Sequence, residues 1–135
     1  MASDLFVSYA REDSDLVSVM VDDLHRLGWS VWWDDRLRSA AEFDDAIERE
    51  LDAASCVVVV WSRSSVASGW VRAEASSAND QGKLVPVRFE SDVVPPLRFR
   101  QLNTVTLPSG HLMPATSASH RVLREIARLT GKQPD

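Results

Sequence analysis

The run Cys56-Val57-Val58-Val59-Val60-Trp61 limits what this chain can become more than any other stretch. Its four consecutive valines favour a strand, and the lack of any polar alternation means that both faces of that strand are covered. A parallel sheet sandwiched between helices provides such cover. The segments on either side should therefore alternate between strands and amphipathic helices.

They do. Leu5-Phe6-Val7-Ser8-Tyr9 reads as a first strand, and Arg11-Glu12-Asp13-Ser14 as a polar turn with capping groups. Leu16, Met20, Leu24 and Leu27, with Val17 and Val21 between them, recur at helical spacing, and Gly28 stops that helix. Trp29 to Trp33 is a second strand closed by Asp34-Asp35, and a polar loop runs from Arg36 to Glu42. Phe43, Ile47 and Leu51 mark a second helix, and a third comes after the valine strand and ends near Gly82. Leu84 to Phe89 is a fourth strand, in which Pro86 suggests an edge position or a bulge. Asn103 to Leu107 is a fifth strand, and Val122, Leu123, Ile126 and Leu129 form a closing helix stopped by Gly131. The expected architecture is one α/β domain over residues 1–135, with a five-stranded parallel sheet between two helical layers.

Bulk properties exclude several roles. With 135 residues, 44% of them apolar, the chain can bury one core. A net charge of -5 argues against sequence-independent nucleic-acid binding, which needs a basic face. No apolar run is long enough to span a membrane, and the N-terminus lacks a signal-peptide layout. The single cysteine, Cys56, cannot form an intrachain disulfide and suits a reducing compartment. A cytoplasmic location without membrane association is the expectation. His25, His111 and His120 lack metal-ligand spacing, so no metal site is expected. Neither a glycine-rich dinucleotide fingerprint nor a phosphate-cradling Gly-Lys-Ser/Thr loop is present. The third strand also ends without the aspartate of a phosphorylated receiver.

In open parallel sheets, ligands bind beyond the carboxyl ends of the strands. Those ends carry Ser8-Tyr9-Ala10-Arg11, Trp33-Asp34 and Trp61-Ser62, the last leading on to Trp70 and Glu74. Their cation, carboxylates, hydroxyls and indoles suit a ligand with phosphates, ribose and flat rings. A helix starting near Gly69 puts Trp70 and Glu74 on one face, with Glu74 in or near the first turn, where the macrodipole favours a carboxylate. Considered alone, Trp70 is better explained as core and Glu74 as an ordinary helix-start acid. Arg11 and Asp34 can likewise be turn residues, Phe43 and Trp33 core aromatics, and Ser62 a helix cap.

Four motifs in register carry a family resemblance. Leu5-Phe6-Val7-Ser8-Tyr9-Ala10-Arg11 resembles the opening of TIR (Toll/interleukin-1 receptor) domains, and Gly28-Trp29-Ser30-Val31-Trp32-Trp33-Asp34 resembles their second-strand motif. Phe43-Asp44-Asp45-Ala46-Ile47 is similar to the helix after the BB loop. Ser68-Gly69-Trp70-Val71-Arg72-Ala73-Glu74 resembles the S-x-W-x-x-x-E box, bacterial examples especially. The match runs from Asp4 to about Phe89 and is generic beyond Pro95.

The resemblance implies a flavodoxin-like fold and, in the enzymatic branch, cleavage of the nicotinamide–ribose bond of NAD+, taken as substrate and not as cofactor. It implies Glu74 as the catalytic carboxylate. The substrate pocket would include Arg11, Trp70, Asp34 and Phe43, together with the strand-end residues Ser8, Tyr9 and Trp33. Two departures stand out: Ser39-Ala40 replaces the usual Pro-Gly or Ala-Gly of the loop, and Ala10 leaves one of two basic positions unfilled. Hydrolysis to ADP-ribose and cyclisation to a cyclic ADP-ribose isomer remain equally open. The resemblance also implies self-association with other TIR domains and a role in prokaryotic defence. The alternative is a non-enzymatic TIR–TIR module, either an adaptor or a decoy for host proteins.

Overall fold

The protein, a computed structural model, is described over residues 2–33 and 44–134. Five parallel strands form one sheet: β1 (Leu5–Ser8), β2 (Val31–Trp32), β3 (Cys56–Trp61), β4 (Leu84–Arg88) and β5 (Val105–Thr106). Their order is β2-β1-β3-β4-β5, the flavodoxin-like arrangement, with the reversal point between β1 and β3. The helices are α1 (Ser14–Arg26), α2 (Asp44–Ala53), α3 (Arg63–Val66), α4 (Gly69–Asp80) and α5 (Ser117–Thr130).

The valine strand is buried at every position, because β3 has a parallel neighbour on each side and a helical layer on each face. Alternation assigns its side chains. Leu5, Val7, Val58, Val60, Val85 and Val87 pack with Val17, Met20, Val21 and Leu24 of α1 and with Val122, Leu123 and Ile126 of α5. Phe6, Val57, Val59 and Trp61 point the other way, toward Ile47 and Leu51 of α2 and Val71, Ala75 and Ala78 of α4. Each fully buried Val or Phe contributes about 1.5–3 kcal/mol. Cys56 is a buried member of the first face, and burial pushes its thiol up to about 12, so it serves as a small apolar residue.

Four expectations need correction. Only Val31 and Trp32 of the Trp29–Trp33 run pair with β1; Trp29 is instead a core side chain whose Nε1 donates to Thr130 Oγ1 at 3.2 Å. Leu16 lies at the margin of the apolar face of α1 and is 38% exposed. The segment after β3 forms two helices, because Ser62 and Ser65 build a capping box that starts α3 before Ser68 caps α4. Pro86 lies in a strand paired on both sides. The Lys83 carbonyl accepts from Val57 on β3 and the Arg88 carbonyl from Leu107. Alternation therefore turns the missing donor of Pro86 outward, short of the point at Val87 where the β5 ladder begins.

Lys83, 8% exposed, gathers the carboxyl end of α2. Its Nζ donates to the carbonyls of Leu51, Asp52 and Ala54 at 2.9, 3.1 and 2.8 Å. These carbonyls include orphan acceptors of a helix end, and the cation also opposes the negative pole of the dipole. Among the described residues no helix is long and apolar enough to cross a membrane.

Candidate functional site

Ser8 closes β1, and alternation turns it to the same face as Phe6, toward α4. Ser68 starts α4 by accepting from the Val71 N–H at 3.2 Å, which sets the phase of the helix. That phase brings Glu74 over the end of β1. Ser8 Oγ donates to Glu74 Oε1 at 2.6 Å, joining two residues 66 apart in sequence at the reversal point of the sheet. Glu74 is 5% exposed. It stands in the second turn of α4, and the first turn holds no acid, so the helix-start explanation is set aside. The serine hydroxyl is one contact that orients it.

One cleft opens beside this carboxylate and a second meets it at Trp70. The first, of about 370 Å³, lies between α2 and α4 and is lined by Ile47, Leu51, Trp70, Ala73, Glu74 and Ser77 among others. The second, of about 410 Å³, is lined by Tyr9, Ala10, Arg11, Glu12, Ser64, Ser68, Trp70 and Val71. Trp70, 37% exposed, borders both. The expected residues are thus divided: Arg11 and Tyr9 line one cleft, Glu74 lines the other, and the indole stands at both. Tyr9 is nearly fully buried, its hydroxyl donating to the Trp33 carbonyl at 2.6 Å, and the two rings lie 6.0 Å apart. Trp33 is half-buried against the core. Asp34 and Phe43 lie outside the described residues, as does the loop containing Ser39-Ala40.

One neighbour escaped the sequence reading. Ser62 Oγ donates to Asp13 Oδ2, tying the start of α1 to the end of β3. Burial raises the Asp13 carboxyl above its ordinary value of 3.8 in spite of that bond, and Glu12 and Glu90 add to the rise. A folded-state value above the unfolded one stabilises the fold at low pH, and the contribution is lost as pH rises through the folded value. Asp13 caps no backbone N–H of α1 with its side chain. Asp13→Asn, which keeps an acceptor for Ser62, is therefore expected to hold or raise the melting temperature at pH 7. It should also flatten the dependence of stability on pH above the ordinary value of 3.8, a comparison that thermal melts across pH 3–8 provide.

The chemistry available is that of one oriented carboxylate beside an indole, with a cation in the adjoining cleft. Among the described residues no group of three or more His, Cys, Asp or Glu side chains could hold a metal ion.

Comparison with known proteins bears on the family and the fold. The chain is 33% identical over 79 residues to a protein named NAD(+) hydrolase TcpC from Escherichia coli O6:H1. That stretch is 55% of this chain and 25% of the relative, so the match spans about a quarter of the curated protein. The fold superposes on the TIR domain of the Toll-related receptor TRR-2 from Hydra magnipapillata with a TM-score of 0.73 at 17% identity, covering 93% of this chain and 98% of that one. It also superposes on a metazoan TIR-STING receptor from C. gigas, with a TM-score of 0.67 at 20% identity, over 98% of this chain and 41% of that one. The profile described as TIR domain matches residues 5–123, well past Phe89, where the recognisable motifs end. A match of that extent, on a five-stranded sheet of this order, places the chain in the TIR domain family.

Proposed function

We propose that this TIR domain cleaves the nicotinamide–ribose bond of NAD+, with Glu74 as the carboxylate that faces the sugar carbon. The observation that carries this reading is the Ser8–Glu74 hydrogen bond of 2.6 Å, which holds a carboxylate oxygen at the carboxyl end of β1 beside a cleft that Trp70 also lines. The name of the Escherichia coli relative points the same way.

In this reaction the C1′–N bond breaks and both its electrons go to the nicotinamide nitrogen. That cancels the positive charge of the ring, so the leaving group departs neutral and needs no general acid, unlike an ordinary glycoside. The sugar carbon is left as an oxocarbenium centre, which a preorganised carboxylate stabilises as its charge develops. Water attacking C1′ and losing a proton gives ADP-ribose; a nitrogen of the adenine ring or a ribose hydroxyl gives a cyclic isomer. In this assignment Trp70 supplies a flat wall, and Arg11, in the adjoining cleft, a cation for the phosphates. Trp33, Tyr9, Asp34 and Phe43 complete the proposed pocket. We assign the activity to prokaryotic defence signalling, with copies of the domain associating to complete one another's sites.

Purified protein incubated with NAD+ is expected to release nicotinamide, with specific activity climbing steeply as protein concentration or crowding rises. Specific activity independent of concentration would argue against assembly. No release under any condition, crowding included, would turn the reading to a TIR–TIR interaction module. Chromatography of the remaining nucleotide then separates hydrolase from cyclase.

A further inference from the structure

Away from the Glu74 clefts, a concavity of about 330 Å³ opens near the β4–β5 edge of the sheet, lined by Arg88, Val94, Pro95, Arg100, Leu102, Asn103, Thr104 and Arg121. It shares no lining residue with either of those clefts. Three guanidinium groups and no carboxylate line it, in a chain whose net charge is -5. Among the described residues none of the three arginines makes an ion pair, whereas Arg63, Arg98 and Arg128 each hold a carboxylate. The acid nearest along α5, Glu125, borders the adjoining groove and is engaged by Arg128.

Two of the three are partly fixed by neutral acceptors. Arg88 donates through Nε to Thr106 Oγ1 at 2.8 Å and through Nη1 to the Val93 carbonyl at 2.8 Å, which leaves Nη2 uncommitted. Arg100 donates through Nε to the Pro95 carbonyl at 3.0 Å, leaving both terminal nitrogens uncommitted. The Thr104 hydroxyl is buried without a partner, and Asn103 adds an amide. Like charges around one hollow repel unless an anion occupies it, and planar forks of fixed orientation suit the oxygens of a phosphoryl group. The volume exceeds that of a lone phosphate and lies at the lower end for small-molecule sites, with Val94, Pro95 and Leu102 as an apolar wall.

We propose that this three-arginine hollow binds the phosphoryl groups of a small phosphorylated anion. Titration of the full chain with inorganic pyrophosphate and with ADP, followed by calorimetry and by amide and arginine Nε resonances, tests it. Saturable binding to both is expected at low ionic strength, with shifts at Leu102, Asn103, Thr104 and the three arginines. The relative affinities of the two probes distinguish a nucleotide from a bare inorganic anion. Arg100→Gln and Arg121→Gln should each weaken binding at least tenfold. Arg98→Gln, which alters an arginine paired with Asp80 outside the hollow, should not. Equal affinity in all three variants, or shifts that leave out the residues of the hollow, would overturn the site. So would a wild type that ignores both probes but self-associates through Arg100 and Arg121, since a second copy's carboxylates would then be the occupant.

Discussion

Glu74→Gln is expected to lower nicotinamide release from NAD+ by about 10²–10³-fold, the usual cost of removing one preorganised group that meets developing charge. The glutamine keeps the volume of the buried side chain and leaves an amide oxygen to accept from Ser8 Oγ, so the melting temperature should move little. The change then isolates the charge. Glu74→Ala serves less well alone, because it also opens a cavity between α4 and the sheet and would mix lost stability with lost chemistry. Ser8→Ala removes an orienting hydroxyl while keeping the charge. A loss of up to about 10²-fold is expected there, appearing in kcat more than in KM. Unchanged nicotinamide release by the glutamine variant would remove Glu74 from the mechanism, whatever its place in the fold.

Local pattern carried much of this protein into view, because its folding signals are mostly local. Four valines in succession specify a doubly covered strand, and β3 is buried throughout. Ser68-Gly69 followed by a helix-forming stretch marks the start of α4, which begins at Gly69. What stayed hidden depends on partners distant in the chain. The contact between Ser8 and Glu74 spans 66 residues, and no periodicity announces which hydroxyl will meet which acid. Arg11 and Glu74 line different clefts that meet at Trp70, a placement that no local pattern announces. Pro86 misled because a proline looks like an edge from its own strand, whereas the length of β5 decides whether its missing donor matters. The arginines of the anion hollow come from β4, the β4–β5 connection and α5, so sequence alone presents them as three separate surface charges.

Asp23 belongs to the same hidden class and gives the largest expected effect on stability. It sits in α1 one turn from Met20 and Leu27, on the flank of the apolar face, and it is 3% exposed. Its Oδ2 accepts from the backbone N–H groups of Leu112 and Met113 at 2.8 and 3.1 Å and faces His111 Nδ1 at 3.2 Å, so it pins the segment after β5 onto α1. Burial works against its ionisation, but the two backbone donors, with His111, win and hold the carboxyl below its ordinary value of 3.8. Asp23→Ala leaves two N–H groups without their acceptor, each costing about 1–3 kcal/mol where buried, so a loss of roughly 2–4 kcal/mol is expected. For a domain of this size that means a melting temperature lower by about 7–14 °C. Because the folded value lies below the unfolded one, the ionic part of this stabilisation is fully present above about pH 4 and fades as pH falls through the folded value. The difference between wild type and Asp23→Ala, measured by urea unfolding, should therefore narrow as pH falls below 4. Asp23→Asn, which keeps one acceptor oxygen, should fall between the two. A wild-type advantage that persisted unchanged down to pH 2 would show that packing, and not the charged acceptor, holds this corner of the fold.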